Sequence, residues 1–353
     1  MPLRKVTLVT NQKNTFVIKD IDLLEQMGYH VFIIYSPSHK DPIRFFWNRL
    51  RELVLSLYYL PKSEALLSWF NDYHGFIPIR FAKLFGKTST IIVGGYDAVS
   101  SKSLKYGIFL ENNFRRSIAI SNYIKVNFIW VVHKSLAEGC PFSNLEFRTK
   151  SGIKNFIPNL KTPIFEVPTV YDSSFWNSKN AKIKNTIITV ANISDKRTFE
   201  RKGISVFICL AKLLPNFKFT IAGVQLNLTV FDSIPKNLTL LGKQTKDQLK
   251  ELYSKNQYYF QGSKIEGLPN VLCEAMLCEC IPIGRKVFGI PDAIGNTGLV
   301  FNSSQDLEKI KTFLEEDNKI LGKMARNKII DNYPIKRRKK AFENFLYKIN
   351  HNA

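Results

Sequence analysis

The stretch Ser263–Gly284, SKIEGLPNVLCEAMLCECIPIG, places a charged residue inside an almost wholly apolar run. From Asn270 to Cys280 the apolar side chains leave little room for a solvated face, and Pro269 is a typical opening residue, so the pattern predicts a buried helix. Glu274 lies in its first turns. A carboxylate among apolar neighbours is costly unless it is hydrogen-bonded. Glu274 is therefore expected to reach a pocket that holds hydroxyl or amide donors.

A second carboxylate, Glu266, lies eight residues earlier, in the loop between a predicted strand, Tyr258–Gly262, and this helix. Gly267 and Pro269 shape the turn between the strand and the helix. The helix start directs free backbone N–H groups and a positive dipole end into the same space, which suits a phosphate. Two carboxylates for hydroxyls and a helix start for phosphate together indicate a nucleotide-sugar pocket.

This stretch closely resembles the donor signature of family 4 glycosyltransferases, which have the GT-B fold, an α/β fold of two Rossmann-like domains with a cleft between them. Seven residues separate Glu266 from Glu274, as in that family, and Ala275 and Met276 complete its usual EAM. The resemblance implies that Glu274 binds the ribose hydroxyls and that Glu266 binds the transferred sugar. It also implies backbone contacts to the sugar and diphosphate from Gly267, Leu268, Pro269 and Asn270.

Composition limits the class of protein. A chain of 353 residues can form two domains, each with its own core, and 45% hydrophobic with 13% aromatic residues indicates a globular protein. The net charge of +22 implies attraction to nucleic acid, an acidic membrane surface or phosphorylated substrates. No zinc-finger spacing or RNA-recognition aromatic motif is present, so a nucleic-acid partner is not expected.

The five cysteines give neither a disulfide framework nor a metal pattern, which favours a reducing compartment. The N-terminal apolar run is short and polar residues follow it, so a first strand is expected there rather than a signal peptide. No apolar run reaches the length of a membrane span. The expected location is cytoplasmic, with a peripheral position on the inner face of the membrane as an open alternative. No cofactor or metal is expected beyond the nucleotide-sugar substrate.

Residues Asp41–Leu60, DPIRFFWNRLRELVLSLYYL, predict a strongly amphipathic helix. Arg44, Arg49 and Arg51 lie close to its aromatic residues. Basic residues beside exposed aromatics are typical of an interfacial membrane helix, but a helix that covers a sheet shows much the same periodicity. Both interpretations are open at this point. The apolar set is Phe45, Phe46, Trp47, Leu50, Leu53, Val54, Leu57 and Tyr58.

The predicted strand Ser89–Gly95 ends in two glycines that allow close approach of the backbone to a ligand, and Tyr96 and Asp97 follow at the ligand-binding edge of the sheet. Many relatives carry a His near this point, and this chain has none. Asp97 is therefore the catalytic candidate for contact with the acceptor hydroxyl, and whether it acts as a base is open. A turn-capping role for Asp97 is the alternative.

Other polar residues outside the signature are weaker candidates. Asp20 and Asp22 form a D-x-D pattern, which binds metal in another glycosyltransferase fold, but beside Lys19 on a polar helix face they are expected to be solvated charges. His74 is a candidate for the cleft or a loop residue. His133 is a candidate for lining the cleft but is not expected to be catalytic.

The segment after Asn192 resembles the family's G-R-x…K-G motif, in which an Arg and a Lys hold the donor diphosphate. Lys202 and Gly203 match this motif, whereas Asn192 occupies the usual Arg position. Arg197 or Arg201 is expected to supply the missing cation, with a solvated loop charge as the alternative for each. Lys202 is thus a predicted catalytic residue, together with Glu266 and Asp97.

The resemblance covers essentially the whole chain and divides it near residue 170, where Asp172 and Phe175 match the family's crossover between domains. Residues 1–170 are expected to bind the acceptor and residues 171–333 the donor, with Gly223 ending a strand beside the nucleotide. A basic helix within residues 334–353 is expected to cross back to the first domain.

The resemblance implies a metal-independent, retaining transferase. It would move a sugar from a UDP- or GDP-linked donor to a saccharide, polyprenyl-linked or glycolipid acceptor in surface glycan biosynthesis. A non-catalytic GT-B relative that binds a polyanion is the alternative, and the intact pair Glu266 and Glu274 argues against it.

Overall fold

Two parallel β-sheets organise the chain. The computed structural model describes residues 4–142, 149–178, 181–225, 231 and 234–351. Strands and helices alternate in both halves of the chain, as the sequence predicts, and each half forms one six-stranded sheet. Because crossover helices connect parallel strands, both faces of such a sheet are covered.

The first sheet lies in the N-terminal half. The strands of this half are β1 (Arg4–Thr10), β2 (Tyr29–Tyr35), β3 (Ala65–Trp69), β4 (Thr88–Val93), β5 (Val99–Ser101), β6 (Phe128–Val131), β7 (Thr149–Ser151) and β8 (Ile164–Glu166). Six of them pair in parallel in the order β2-β1-β3-β4-β6-β8, and β5 pairs with β7. The helices are α1 (Thr15–Gln26), α2 (Pro42–Tyr59), α3 (Phe76–Leu84), α4 (Phe114–Lys125), α5 (Ser135–Glu138) and α6 (Ile153–Phe156).

The second sheet has the order β11-β10-β9-β12-β13-β14. Its strands are β9 (Ile183–Ile193), β10 (Lys218–Val224), β11 (Leu238–Leu241), β12 (Asn256–Gln261), β13 (Ile281–Arg285) and β14 (Leu299–Phe301). Its helices are α7 (Lys196–Arg201), α8 (Ile204–Leu213), α9 (Lys246–Lys255), α10 (Asn270–Leu277), α11 (Ile290–Ile294), α12 (Leu307–Glu315) and α13 (Lys319–Asn332), and the chain continues into α14 (Ile335–His351). The apolar stretch of the signature forms α10, which is buried as its sequence predicts.

The last helix, α14, packs on the first sheet. The ring of Phe342 lies 5.4 Å from that of Trp130 in β6, and the ring of Phe345 lies 6.1 Å from that of Phe128. These aromatic contacts tie the end of the chain to the domain that contains its beginning.

The buried ion pair between Asp20 of α1 and Arg338 of α14 strengthens this attachment. Arg338 donates to Asp20 through Nε at 2.6 Å and through Nη2 at 2.5 Å, and the indole N–H of Trp69 donates to the same carboxylate at 2.8 Å. The expectation that Asp20 is solvated is wrong, because α14 covers its side of α1. Asp22 is exposed, as expected.

Helix α2 forms where the sequence predicts it. Asp41 caps it by accepting a 2.9 Å hydrogen bond from the backbone N–H of Arg44, and Pro42 occupies the first turn. Its fully buried residues are Glu52 and Ser56, whereas most of its apolar set is exposed. The helix therefore covers the sheet with a mixed face, on which the half-buried Leu55 and Tyr59 pack against the core beside these two polar residues. Within the described parts of the chain, no helix combines the length and apolar character needed to cross a membrane.

Candidate active site

Residues from both domains line a cavity of about 220 Å³ between the two sheets. Ligands of open α/β sheets bind beyond the carboxyl ends of the strands. The end of β3 and the loops that follow β4, β6 and β12 all contribute to this cavity, so it is the candidate site. The lining residues are Thr15, Phe16, Trp69, Gly94, Val132, Thr169, Lys202, Glu266, Leu268, Pro269, Asn270 and Val271.

Lys202 and Glu266 form an ion pair in this cavity, Nζ to Oε1. Lys202 directly follows α7 as its C-cap, and Gly203 comes next with a left-handed φ of 67°. A Cβ at Gly203 would lie 2.1 Å from the carbonyl oxygen of Gly262, just after β12. Glycine is needed there because only its backbone lets the end of α7 approach the loop that carries Glu266.

Each partner of this pair favours the charged form of the other. Burial acts to raise the pKa of Glu266, but the positive charges of Lys202 and Arg201 outweigh it, so its pKa lies below its ordinary value. Burial lowers the pKa of Lys202, against the opposing effect of Glu266. A cation is thereby held at the cavity wall, where an anionic group could be bound.

Glu274 pairs with a residue of the other domain. Lys19 of α1 donates a 2.9 Å hydrogen bond to Glu274 Oε1, and its ammonium lies 4.7 Å from the centre of the Tyr171 ring. Glu274 is buried, and the sequence predicts that its carboxylate meets hydrogen-bond donors. In the structure the ammonium group of Lys19 is that donor. Lys19 is a site residue that the sequence does not mark, because no local pattern identifies a residue whose partner lies 255 positions away.

The loop before α10 touches the first domain through its backbone. A Cβ on Gly267 would lie 2.6 Å from Val132 Cγ2 and 2.8 Å from the carbonyl oxygen of Gly94. Gly95 has a φ of 150°, and a Cβ there would lie 3.8 Å from the Gly267 nitrogen. Glycine at position 267 therefore permits this approach, whereas the distance at Gly95 is an ordinary van der Waals contact. The next three residues, Leu268, Pro269 and Asn270, line the cavity directly.

Asp97 is fully buried rather than directed into the cavity. Its carboxylate accepts hydrogen bonds from the backbone N–H groups of Gly95 at 2.9 Å, Gly94 at 3.2 Å and Asn71 at 3.3 Å. Burial raises its pKa to about 6. This geometry favours the turn-capping interpretation, because both carboxylate oxygens already bind the backbone. It provides no support for acceptor contact, which stays a prediction.

The two candidate arginines differ in position. The Arg201 guanidinium lies 5.0 Å from the centre of the Tyr106 ring, and its positive charge helps to lower the pKa of Glu266. Arg197 is exposed on α7, with its charge acting on Tyr96 of the first domain. Arg201 is therefore the better placed of the two.

Gly223, predicted to lie beside the nucleotide, is in β10 with a φ of 94°. Strand β9 separates β10 from β12, and Gly223 does not line the cavity.

Both candidate histidines are buried and engaged. His74 Nε2 lies 2.9 Å from the Trp69 carbonyl oxygen, and burial lowers the pKa of His74 to about 4. His133 lies with Nδ1 2.8 Å from Ser135 Oγ and Nε2 3.1 Å from Asp292 Oδ2 of the second domain. Neither lines the cavity.

Within the described residues, no group of three or more His, Cys, Asp or Glu side chains could hold a metal ion.

Two parallel sheets whose carboxyl edges enclose a cavity define a protein of the GT-B fold. Residues 172–331 match the family model described as Glycosyl transferases group 1. This match includes the signature and confirms the predicted resemblance over these residues, which make up less than half of the chain. Assignment to family 4 stays a prediction. No curated protein matches the chain significantly.

Solved structures confirm the fold over the whole chain. A sucrose-phosphate synthase from Thermosynechococcus elongatus is 12% identical with a TM-score of 0.76, covering 99% of this chain and 100% of its own. Anabaena HepE in complex with UDP and glucose is 11% identical with a TM-score of 0.70, and the match covers 97% of this chain and 99% of HepE. A mutant of S. aureus TarM in complex with UDP is 17% identical with a TM-score of 0.59, covering 83% of this chain and 58% of its own. Together with the family match, these findings support a glycosyltransferase.

Proposed function

We propose that this protein is a retaining glycosyltransferase that moves a sugar from a nucleotide-sugar to a saccharide or lipid-linked acceptor in surface glycan biosynthesis. The observation that carries the proposal is the pair of carboxylates, Glu266 and Glu274, each paired to a lysine at one inter-domain cleft. Because the structures of HepE and TarM contain UDP, a UDP-linked donor is tested before a GDP-linked one.

In the proposed reaction, the bond between the anomeric carbon of the sugar and the diphosphate oxygen breaks, and negative charge grows on the departing nucleotide. The acceptor hydroxyl oxygen bonds to the same carbon on the same face, and its proton passes to the departing diphosphate. Lys202, Arg201 and the N–H groups at the start of α10 would stabilise that charge, with no metal required. Removing one such preorganised group typically costs about 3–4 kcal/mol of transition-state stabilisation. Glu266 would hold the sugar and Glu274 the ribose.

We also propose that the enzyme works on the cytoplasmic side of a membrane, from which a polyprenyl-linked or glycolipid acceptor would reach the cleft. All five cysteines are free thiols, which supports a reducing compartment. The net charge of +22 supports contact with an anionic lipid surface.

The test is titration calorimetry with UDP, GDP and their common sugar conjugates on the wild type, Glu274→Ala and the control Glu251→Ala, which changes an exposed carboxylate on α9. We expect one nucleotide to bind, Glu274→Ala to weaken it roughly 10- to 100-fold through lost hydrogen bonds to a charged group, and the control to leave it unchanged. If a correctly folded protein binds none of these nucleotides, the non-catalytic polyanion-binding alternative replaces the proposal.

A further inference from the structure

Helix α2 exposes its apolar side chains to solvent. The two residues of α2 that are fully buried, Glu52 and Ser56, are both polar. Seven large apolar residues follow one another at helical spacing on the opposite side, with exposed fractions from 37% at Leu50 to 70% at Ile43. These residues form the apolar stripe: Ile43, Phe46, Trp47, Leu50, Val54, Leu57 and Tyr58.

Polar contacts on the inner side fix this orientation. Arg49 donates a 2.9 Å hydrogen bond to Ser36 Oγ at the end of β2 and forms an ion pair with Glu52. Asn48 donates a 2.8 Å hydrogen bond to the Pro37 carbonyl oxygen. Turning the apolar stripe inward would break the hydrogen bonds to Ser36 and Pro37 and would remove Leu55 and Tyr59 from the core, whereas the Arg49–Glu52 ion pair lies within the helix and would turn with it. The stripe is therefore a built surface of the first domain.

Positive charge borders the apolar stripe. Lys40, Arg44, Arg51 and Lys62 are exposed along it. Among the described residues 39–62, Asp41 is the exposed acid, and its carboxylate caps the helix, whereas Glu52 lies inside. An apolar stripe this large on one helix marks an interaction surface. Its borders carry four exposed cations against the single exposed acid Asp41, so they match an anionic partner better than a second copy of the same basic surface.

The first turn of α2 lies near the carboxyl end of β3, a strand whose last residue lines the cavity. Phe45, in the first turn of α2, packs its ring 5.0 Å from that of Tyr73, which lies beyond the carboxyl end of β3. Trp69, the last residue of β3, lines the cavity. A surface in contact with α2 would therefore lie next to the acceptor side of the cleft.

We infer that α2 is a docking helix that lies in the headgroup region of an anionic lipid bilayer, with the apolar stripe inserted and the four cations over the lipid phosphates. The role of this docking, which is to bring the cleft to an acceptor embedded in lipid, rests on the proposed function. The docking itself is a property of α2 and does not depend on catalysis.

Tryptophan fluorescence provides a local test. Of the four tryptophans, Trp47 is 60% exposed and the other three are almost fully buried. Vesicles of phosphatidylcholine with phosphatidylglycerol should shift the emission of the full-length protein to shorter wavelength, and Trp47→Phe should abolish that shift while still allowing co-sedimentation. Vesicles of phosphatidylcholine alone should bind at least tenfold more weakly.

Two variants separate the apolar and ionic contributions. Phe46→Ser should lower vesicle partitioning roughly tenfold, and Arg44→Glu with Arg51→Glu should lower it more than tenfold. The matched controls lie in the second domain: Ile320→Ser, which is 70% exposed, and Lys212→Glu with Lys323→Glu, both exposed; they should have less than a twofold effect.

Three results would overturn the inference: no emission shift with anionic vesicles, equal losses in the controls, or a dimer in light scattering that Phe46→Ser dissociates. Nucleotide titration of the same variants separates this inference from the proposed function. Retained nucleotide binding without vesicle binding rejects only the docking helix, whereas vesicle binding without nucleotide binding rejects only the transferase.

Discussion

The ammonium group of Lys19 in α1 donates a 2.9 Å hydrogen bond to the carboxylate of Glu274 in α10 and thereby joins the two domains across the cleft. Glu274 is the residue expected to bind the donor ribose, so the ribose hydroxyls and Lys19 would compete for one carboxylate. A donor must displace or share this contact before it can bind as proposed.

Lys19→Met should therefore strengthen UDP binding, by roughly fivefold if the competing contact is worth about 1 kcal/mol. Titration calorimetry measures this, with Lys13→Met, an exposed lysine before α1, as the control. Weaker UDP binding by Lys19→Met would instead make Lys19 a ligand of the donor.

Lys202→Met should lower kcat/KM by about 100- to 1,000-fold, because the departing diphosphate loses a preorganised cation and Glu266 loses its partner. Donor turnover is measured at saturating acceptor, with thermal unfolding to verify the fold. Lys196→Met, an exposed lysine on the same helix, should be nearly neutral. An unchanged kcat/KM in Lys202→Met would remove this residue from the proposed mechanism.

Asp97→Asn should reduce the free energy of unfolding by about 1–3 kcal/mol, since an amide N–H₂ would face backbone donors that the carboxylate now accepts. Denaturant unfolding measures the loss. If Asp97 only caps the turn, the kcat of the folded fraction stays within a few-fold of the wild type. A kcat at least 100-fold lower at unchanged stability would favour the catalytic-base interpretation.

Glu52 should make stability depend on pH. Burial raises its pKa to about 7, above the ordinary 4.5, so the folded state binds its proton more tightly than the unfolded state does. That contribution is complete below pH 4.5 and is lost as the pH rises through 7. Glu52→Gln should match the wild type near pH 5 and exceed its unfolding free energy by about 2 kcal/mol at pH 8. Glu64→Gln, at a more exposed ion pair, should show no such difference, and equal effects of Glu52→Gln at both pH values would contradict the prediction.

Asp20→Ala should lower the unfolding free energy by about 3–5 kcal/mol, because the guanidinium of Arg338 would remain buried without its carboxylate. Asp22→Ala, which changes an exposed carboxylate on the same helix, should stay within about 0.5 kcal/mol of the wild type. Denaturant unfolding compares the two variants. A similar loss in both would mean that α14 does not depend on this ion pair.

The amino-acid sequence alone determined the alternation of strands and helices, the buried helix α10, and the pairing of Glu266 and Glu274 in one signature. These features are local. Hydrophobic periodicity defines each element, and the short loop containing Gly267 fixes the position of Glu266 relative to the start of α10.

Only the tertiary structure decided which faces are covered. Periodicity shows that the apolar residues of α2 share a face, but it is the contacts of Arg49 and Asn48 that turn this face outward. Asp20 and Lys19 look like solvated charges because their partners, Arg338 and Glu274, lie 318 and 255 positions away. Burial of a charge depends on what packs against it, and chain segments so distant in sequence meet only when the whole fold is formed.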